Sequence, residues 1–183
     1  VPAGPQASSR PGQEGPESTN VLDRWILSRL HQLTTEMTVA MDGYDLPRAS
    51  RPVTAFIDDL STWYIRRSRD RFKGEDAADR EAATMTTAFV LAQLSKLIAP
   101  FMPFLAERIW QAVTGFGFKD DERSVHLEIW PDAGVIDQKV LEEMAVTRQV
   151  VELGLAKRDA AGIKIRQPLA KLTIHSPRTV SIK

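Results

Sequence analysis

The sequence predicts a mainly α fold, an antiparallel helical bundle followed by a small mixed α/β appendage. Three observations carry this. Apolar residues recur every three or four positions through most of residues 21–114. Gly43, the Pro100-Phe101-Met102-Pro103 step, Gly115 and Gly117 cut that periodicity into pieces of helix length. Beyond residue 119 the texture changes to short alternating stretches around one further helical pattern. With 183 residues, 43% of them apolar, the chain can bury a real core in one domain with an appendage.

The elements follow in order. Residues 1–20 hold four prolines, three glycines and three serines, a linker composition expected to be poorly ordered or draped over a neighbour. The chain begins at Val1 and reads as a piece of something longer. Asn20 is a good N-cap for a first helix, in which Leu22, Trp25, Ile26, Leu30, Leu33, Met37 and Met41 form the apolar stripe. Gly43 ends it and Asp45 can cap the second. There Val53, Phe56, Ile57, Leu60, Trp63 and Tyr64 make the stripe, which predicts that Trp63 buries its ring against the first helix. Pro52 falls inside this pattern and predicts a kink or a late start.

A third helix is expected from residues 76–79 to residue 99, with Met85, Phe89, Ala92 and Leu97 buried. A fourth should span residues 104–114. Residues 125–130, Val-His-Leu-Glu-Ile-Trp, alternate like a half-buried strand. A fifth helix is expected over residues 137–161, stopped by Gly162, and residues 163–166 and 171–175 read as short extended pieces around Pro168. The predicted organisation is therefore a linker (1–20), a helical bundle (21–118) and a smaller α/β region (119–183).

Several function classes drop out. With no cysteine there are no disulfides, thiolate metal sites or cysteine nucleophiles, which suits a reducing, cytoplasmic setting. No apolar run approaches the roughly 18 residues of a membrane span, and no signal-peptide pattern opens the chain, so no membrane partner is expected. His31, His126 and His175 sit on three separate elements, so no metal site is expected. Asp58 and Asp59 diverge by about 100° on a helix and cannot face one target, which leaves them a solvated surface. No glycine-rich phosphate loop is present, and neither a catalytic residue nor a cofactor is expected in these residues.

What stands out is the run Trp63-Tyr64-Ile65-Arg66-Arg67-Ser68-Arg69-Asp70-Arg71-Phe72-Lys73. From residue 64 to 73 it carries five positive charges against one negative, in a chain of zero formal net charge. On an α-helix Arg66, Arg69 and Lys73 share one face, and Tyr64, Arg67 and Arg71 a neighbouring one. Like charges at those spacings repel, so either an anion offsets them or they form a solvated helix end that complements the macrodipole. Polyphosphate suits the first alternative, and the adjacent rings offer surfaces for unpaired bases. A second basic stretch, Lys157, Arg158, Lys164, Arg166 and Lys171, faces only Asp159 in sequence, while Asp120-Asp121-Glu122 and Glu142-Glu143 supply compensating acid.

Residues 21–172 closely resemble the anticodon-binding region of isoleucyl-tRNA synthetases. The matching stretches are Val21-Leu22-Asp23-Arg24-Trp25-Ile26-Leu27-Ser28-Arg29-Leu30, Tyr44-Asp45-Leu46, and the run from Asp58-Asp59-Leu60 through Trp63-Tyr64-Ile65-Arg66-Arg67 to Arg71-Phe72. Ala99-Pro100-Phe101-Met102-Pro103-Phe104, Val125-His126-Leu127-Glu128-Ile129-Trp130-Pro131 and Ile163-Lys164-Ile165-Arg166-Gln167-Pro168-Leu169 complete the set. The Ala-Pro-Phe-x-Pro-Phe element is shared with the valine and leucine enzymes, and the Trp-Tyr-Ile-Arg-Arg-Ser-Arg run favours the isoleucine enzyme. Many relatives carry tryptophan where this chain has Lys73. Ala92-Gln93-Leu94-Ser95-Lys96 is no substitute for the family's Lys-Met-Ser-Lys-Ser loop.

The resemblance implies an anticodon-arm-binding domain for isoleucine tRNA, serving a ligase whose catalytic core uses ATP and Mg and belongs to the same polypeptide. In the related methionine enzymes the start of the first bundle helix and the end of the second meet the anticodon. That correspondence puts tRNA binding on Trp25, Arg29, Arg66, Arg67, Arg69, Arg71 and Lys73, with Lys164 and Arg166 from the second basic stretch. Trp25 can stack a base or fill the core, Arg29 can reach a base edge or phosphate, and the other arginines would mainly neutralise phosphates. At least one arginine can instead pair with Asp58, Asp59 or Asp70 to hold the bundle. The competing class is a structural or protein-interaction bundle with no RNA role.

Overall fold

A computed structural model describes residues 15–116 and 123–174. These fall into two compact units, one up to Asp137 and the other from Gln138 onward. Most of the linker prediction (residues 1–14), Gly117, the Asp120-Asp121-Glu122 cluster and His175 lie outside the described residues. Residues 15–20 have no regular structure, and Gly15 sits close against the bundle: a Cβ on it would come within 2.8 Å of Leu27 and 3.0 Å of Phe89.

In the first unit α1 (Val21–Asp42) starts where Asn20 accepts the Leu22 N–H, and Gly43 closes it. α2 (Leu46–Asp58) starts at Asp45, whose carboxylate accepts the Arg48 N–H. The start is not delayed to Pro52, which sits inside the helix. There it removes the amide that would have bonded the Arg48 carbonyl. A π-helical segment (Asp59–Ile65) and a short helix α3 (Arg69–Lys73) continue this path. Asp76 caps α4 (Ala77–Ile98), and α5 (Pro103–Thr114) ends at Gly115, whose φ of 77° is a left-handed stop that favours glycine. α1 packs against α2, α4 packs against α5, and α1 also meets α4, which gives a helical bundle. Its core holds Trp25, Ile26, Leu30, Met37, Phe56, Tyr64, Val90, Leu97, Ile98 and Trp110.

Two predicted core positions are exposed instead, Ile57 on α2 and Met85 on α4. The π segment closes its hydrogen bonds from residue i to i+5, as between the Arg66 N–H and the Ser61 carbonyl at 3.2 Å. That wider winding brings Leu60 and Tyr64 inward in succession. Trp63 keeps the larger part of its surface covered, as predicted, and its neighbour Tyr64 is buried completely.

The predicted strand at residues 125–130 is a 3-10 turn (Val125–Leu127) followed by unpaired extended chain. Its backbone is satisfied by side chains rather than by a neighbouring strand: Glu107 accepts from the Ser124 hydroxyl at 2.7 Å and the Val125 N–H at 3.0 Å. Beyond it, residues 128–137 strap the bundle. Lys96 pairs with Glu128 at 2.7 Å, Trp130 Nε1–H donates to Thr38, the Gly134 N–H donates to His31 Nδ1, and the Asp137 N–H donates to Ser28.

The second unit is α6 (Gln138–Ala160) and the chain that turns at Gly162. The extended pieces expected around Pro168 are turns and irregular chain. The Arg158 guanidinium gathers them by donating to the carbonyls of Lys164, Ile165 and Gln167. The described residues contain no strand, so a mixed α/β appendage is not what they form.

Candidate nucleic-acid interface

The arginine-rich run folds around one buried carboxylate. Asp23 sits on the inward face of the first turn of α1 and is fully buried. Arg71 on α3 grips it through two bonds, Nη1 to Oδ1 at 2.7 Å and Nη2 to Oδ2 at 2.9 Å. The Tyr64 hydroxyl donates to Asp23 Oδ1 at 2.8 Å and the Ser18 hydroxyl to Oδ2 at 2.7 Å. Arg71 also donates from Nε to Asp79 in the first turn of α4 at 2.9 Å, so the start of α1, α3 and the start of α4 share one ionic knot.

Burial pushes the Asp23 carboxyl up, but the hydrogen bonds from Arg71, Ser18 and Tyr64, with the Arg71 charge, more than offset it and hold it below its usual range. Burial and the neighbouring Asp23 push the Tyr64 phenol up. The bond to Asp23 raises Arg71, against the opposing effect of burial. Arg71, expected to meet RNA, has a side chain only 12% exposed and is committed to this knot.

Two other expected contacts are also turned to structure. Trp25 is 2% exposed, so its ring is core and offers no face to a base. Arg29 donates from Nε to Asp59 at 2.8 Å and from Nη1 to Gln32, tying α1 to the π segment rather than reaching outward. Asp59 is buried in that pair, and the solvated surface expected for it is overturned. Sequence reasoning allowed at least one of Arg66, Arg67, Arg69 and Arg71 to pair with Asp58, Asp59 or Asp70; Arg71 does pair, but with Asp23 and Asp79, and Asp59 is taken by Arg29.

The remaining cations of the run face solvent. Arg66, Arg67, Arg69 and Lys73 are all exposed on the turn that follows the π segment and on α3, accompanied by exposed Asp70. The Arg67 guanidinium lies over the Trp63 ring, 4.7 Å from its centroid. In the second unit Lys164 and Arg166 are exposed on the stretch that Arg158 gathers. Asp23 was not singled out for this role in sequence. The signal for Asp23 was present: it lies three residues before Ile26 and seven before Leu30, on the apolar stripe, where a carboxylate needs a partner.

Comparison with known proteins bears directly on this arrangement. Residues 23–174 match the family described as the anticodon-binding domain of tRNA ligase. Isoleucine–tRNA ligase from Streptomyces coelicolor is 45% identical over 161 residues, covering 87% of this chain and 15% of that protein. The Thermobifida fusca ligase is 43% identical over 88% of this chain and 15% of its own length, and the Thermus thermophilus ligase 40% identical over 88% and 16%. The chain therefore spans about 15% of the length of the relatives it matches. Within that span, a family match running from the buried Asp23 through the cationic segment to residue 174 shows that the chain belongs to the anticodon-binding domains of tRNA ligases.

Proposed function

We propose that this domain binds the anticodon arm of isoleucine tRNA on behalf of an isoleucine–tRNA ligase whose catalytic core lies in the rest of the same cytoplasmic polypeptide. The single observation that carries the proposal is the outward set Arg66, Arg67, Arg69 and Lys73, held on a short segment that the Asp23–Arg71–Asp79 knot fastens to the bundle. Four cations on a rigid end of a neutral chain supply what a phosphate backbone needs, namely neutralisation with counterion release. Lys164 and Arg166 are a second, separate basic stretch for the same polyanion. In this reading ATP and magnesium serve the remainder of the parent enzyme, which activates isoleucine and esterifies it to the tRNA, as the names of the isoleucine–tRNA ligases it resembles suggest.

The test is titration with cognate and anticodon-swapped tRNA at two salt concentrations. Arg66→Ala and Arg69→Ala should each weaken binding and reduce the logarithmic salt slope by roughly 0.7, the value for one contact to a single strand. Arg71→Met should leave the slope unchanged in whatever fraction stays folded. Unaltered slopes for Arg66→Ala and Arg69→Ala would instead leave a structural bundle with no RNA role. Equal binding of cognate and swapped tRNA would remove the anticodon from the proposal.

A further inference from the structure

We propose that the groove between α1 and α2 is a ribose-phosphate site for the paired stem of the bound RNA, with Arg48 and Arg51 on its phosphates and the Arg48 carbonyl accepting a 2′-hydroxyl. This rests on the tRNA-binding proposal above and deepens it by giving the RNA a second contact, at the end of the bundle away from the Asp23 knot.

The groove holds about 650 Å³ and is lined by Thr35, Glu36 and Val39 from α1 and by Arg48, Arg51 and Pro52 from α2. Arg48 and Arg51 stand one turn apart on α2, both exposed. Arg24, Arg29 and Arg71 are each held by a carboxylate, but neither Arg48 nor Arg51 has an ion-pair partner among the described residues. The lining therefore carries two guanidiniums against one carboxylate, that of Glu36. Asp45, just outside it, already accepts the Arg48 N–H.

Pro52 supplies the second observation. A proline in a helix interior is costly, yet α2 runs straight through it. The Arg48 carbonyl, four residues back on the same wall, loses its helical donor and keeps its capacity to accept. A phosphate diester has no proton to give that oxygen, whereas a ribose 2′-hydroxyl has one. Paired A-form RNA is recognised mainly by its phosphates and 2′-hydroxyls across the minor groove. A wall that offers guanidiniums beside a lone carbonyl acceptor matches both groups, of which DNA would supply only the phosphate. The spacing agrees. At about 1.5 Å per residue along α2 and the π segment, the groove lies roughly 25 Å from the outward cations at Arg66 and beyond. An RNA whose loop meets those cations can lay its stem over that distance.

The experiment titrates the whole chain with two anticodon-arm hairpins of isoleucine tRNA. One is all-ribose; the other has 2′-fluoro sugars in the stem only, which keeps the A-form shape and removes the hydroxyl donor. The wild type should bind the fluoro-stem hairpin about 2–10-fold more weakly, the worth of one hydrogen bond. Pro52→Ala restores the amide to the Arg48 carbonyl and suits the helix better, so it should stay folded and abolish that preference while leaving the fluoro-stem affinity unchanged. Arg51→Ala should keep the preference and lower the logarithmic salt slope by roughly 0.9 on both hairpins, the value for one duplex phosphate. Equal wild-type binding of the two hairpins, a preference that survives Pro52→Ala, or an unchanged slope in Arg51→Ala overturns the groove site and leaves the tRNA-binding proposal standing. Failure of the wild type to bind the all-ribose hairpin overturns both.

Discussion

Arg71→Met tests whether this arginine is a structural member of the bundle rather than an RNA contact. The substitution keeps most of the aliphatic stem and removes both bonds to fully buried Asp23 and the link to Asp79. Breaking a buried pair by removing one partner costs about 3–5 kcal/mol, because it strands the other charge. Asp23 keeps two hydroxyl donors, Ser18 and Tyr64, and the bond to half-exposed Asp79 contributes little. The low end, about 3 kcal/mol, is therefore expected. For a domain of this size that is a fall of roughly 6–12 °C in melting temperature. The loss should depend on pH in a defined direction. In the wild type the folded Asp23 lies below its unfolded value of 3.8, so its stabilisation is complete above that value and fades as pH falls through the folded one. In the variant, burial without the cation raises the folded carboxyl, which gains a proton as pH falls and relieves the stranded charge. Both effects narrow the deficit between pH 7 and pH 3. Urea titrations at the two values measure it. A loss below about 1 kcal/mol at pH 7, or an undiminished loss at pH 3, would refute the ionic knot.

Other expectations follow from single contacts. His31 is buried and accepts the Gly134 N–H on Nδ1, and burial lowers its pKa. Stability should thus fall as pH drops below 6.5 toward the folded value, and His31→Asn, which keeps an acceptor and cannot charge, should flatten that dependence in thermal melts. Gly134→Ala would bring its Cβ to 2.8 Å from the same ring and should cost about 1–3 kcal/mol in denaturant titration. Trp25→Ala should cost about 3–5 kcal/mol without altering the salt slope of tRNA binding in the folded fraction.

Much of the fold was legible because its signals are local. Asn20, Asp45 and Asp76 cap the helices they were expected to open or could open, and Gly43 and Gly115 close theirs, each acting within a turn of its own position. What sequence could not show depends on partners far along the chain. The alternation at residues 125–130 is that of a strand, yet Glu107 satisfies the backbone there, so no ladder forms. Tyr64 is fully buried with its hydroxyl donating to Asp23, 41 residues away, a partner that periodicity alone does not reveal.

The same logic sorts the cationic run. Its charge density was plain in sequence, but the division between inward and outward arginines was not. Five like charges on two adjacent helix faces would repel one another, and the structure relieves this in two ways. A π segment, a turn and a five-residue helix replace one continuous helix, which spreads the cations over different directions. Arg71 is then neutralised by two carboxylates from other helices, so it anchors the segment instead of adding to the repulsion. The carboxylate that makes this possible is Asp23, which belongs to the same matched stretch as Trp25 and Arg29. Asp23 and Arg29 at the start of α1 therefore fasten α3 and the π segment through Arg71 and Asp59, Trp25 fills the core, and the exposed cations of the run lie between and beside the points so fastened.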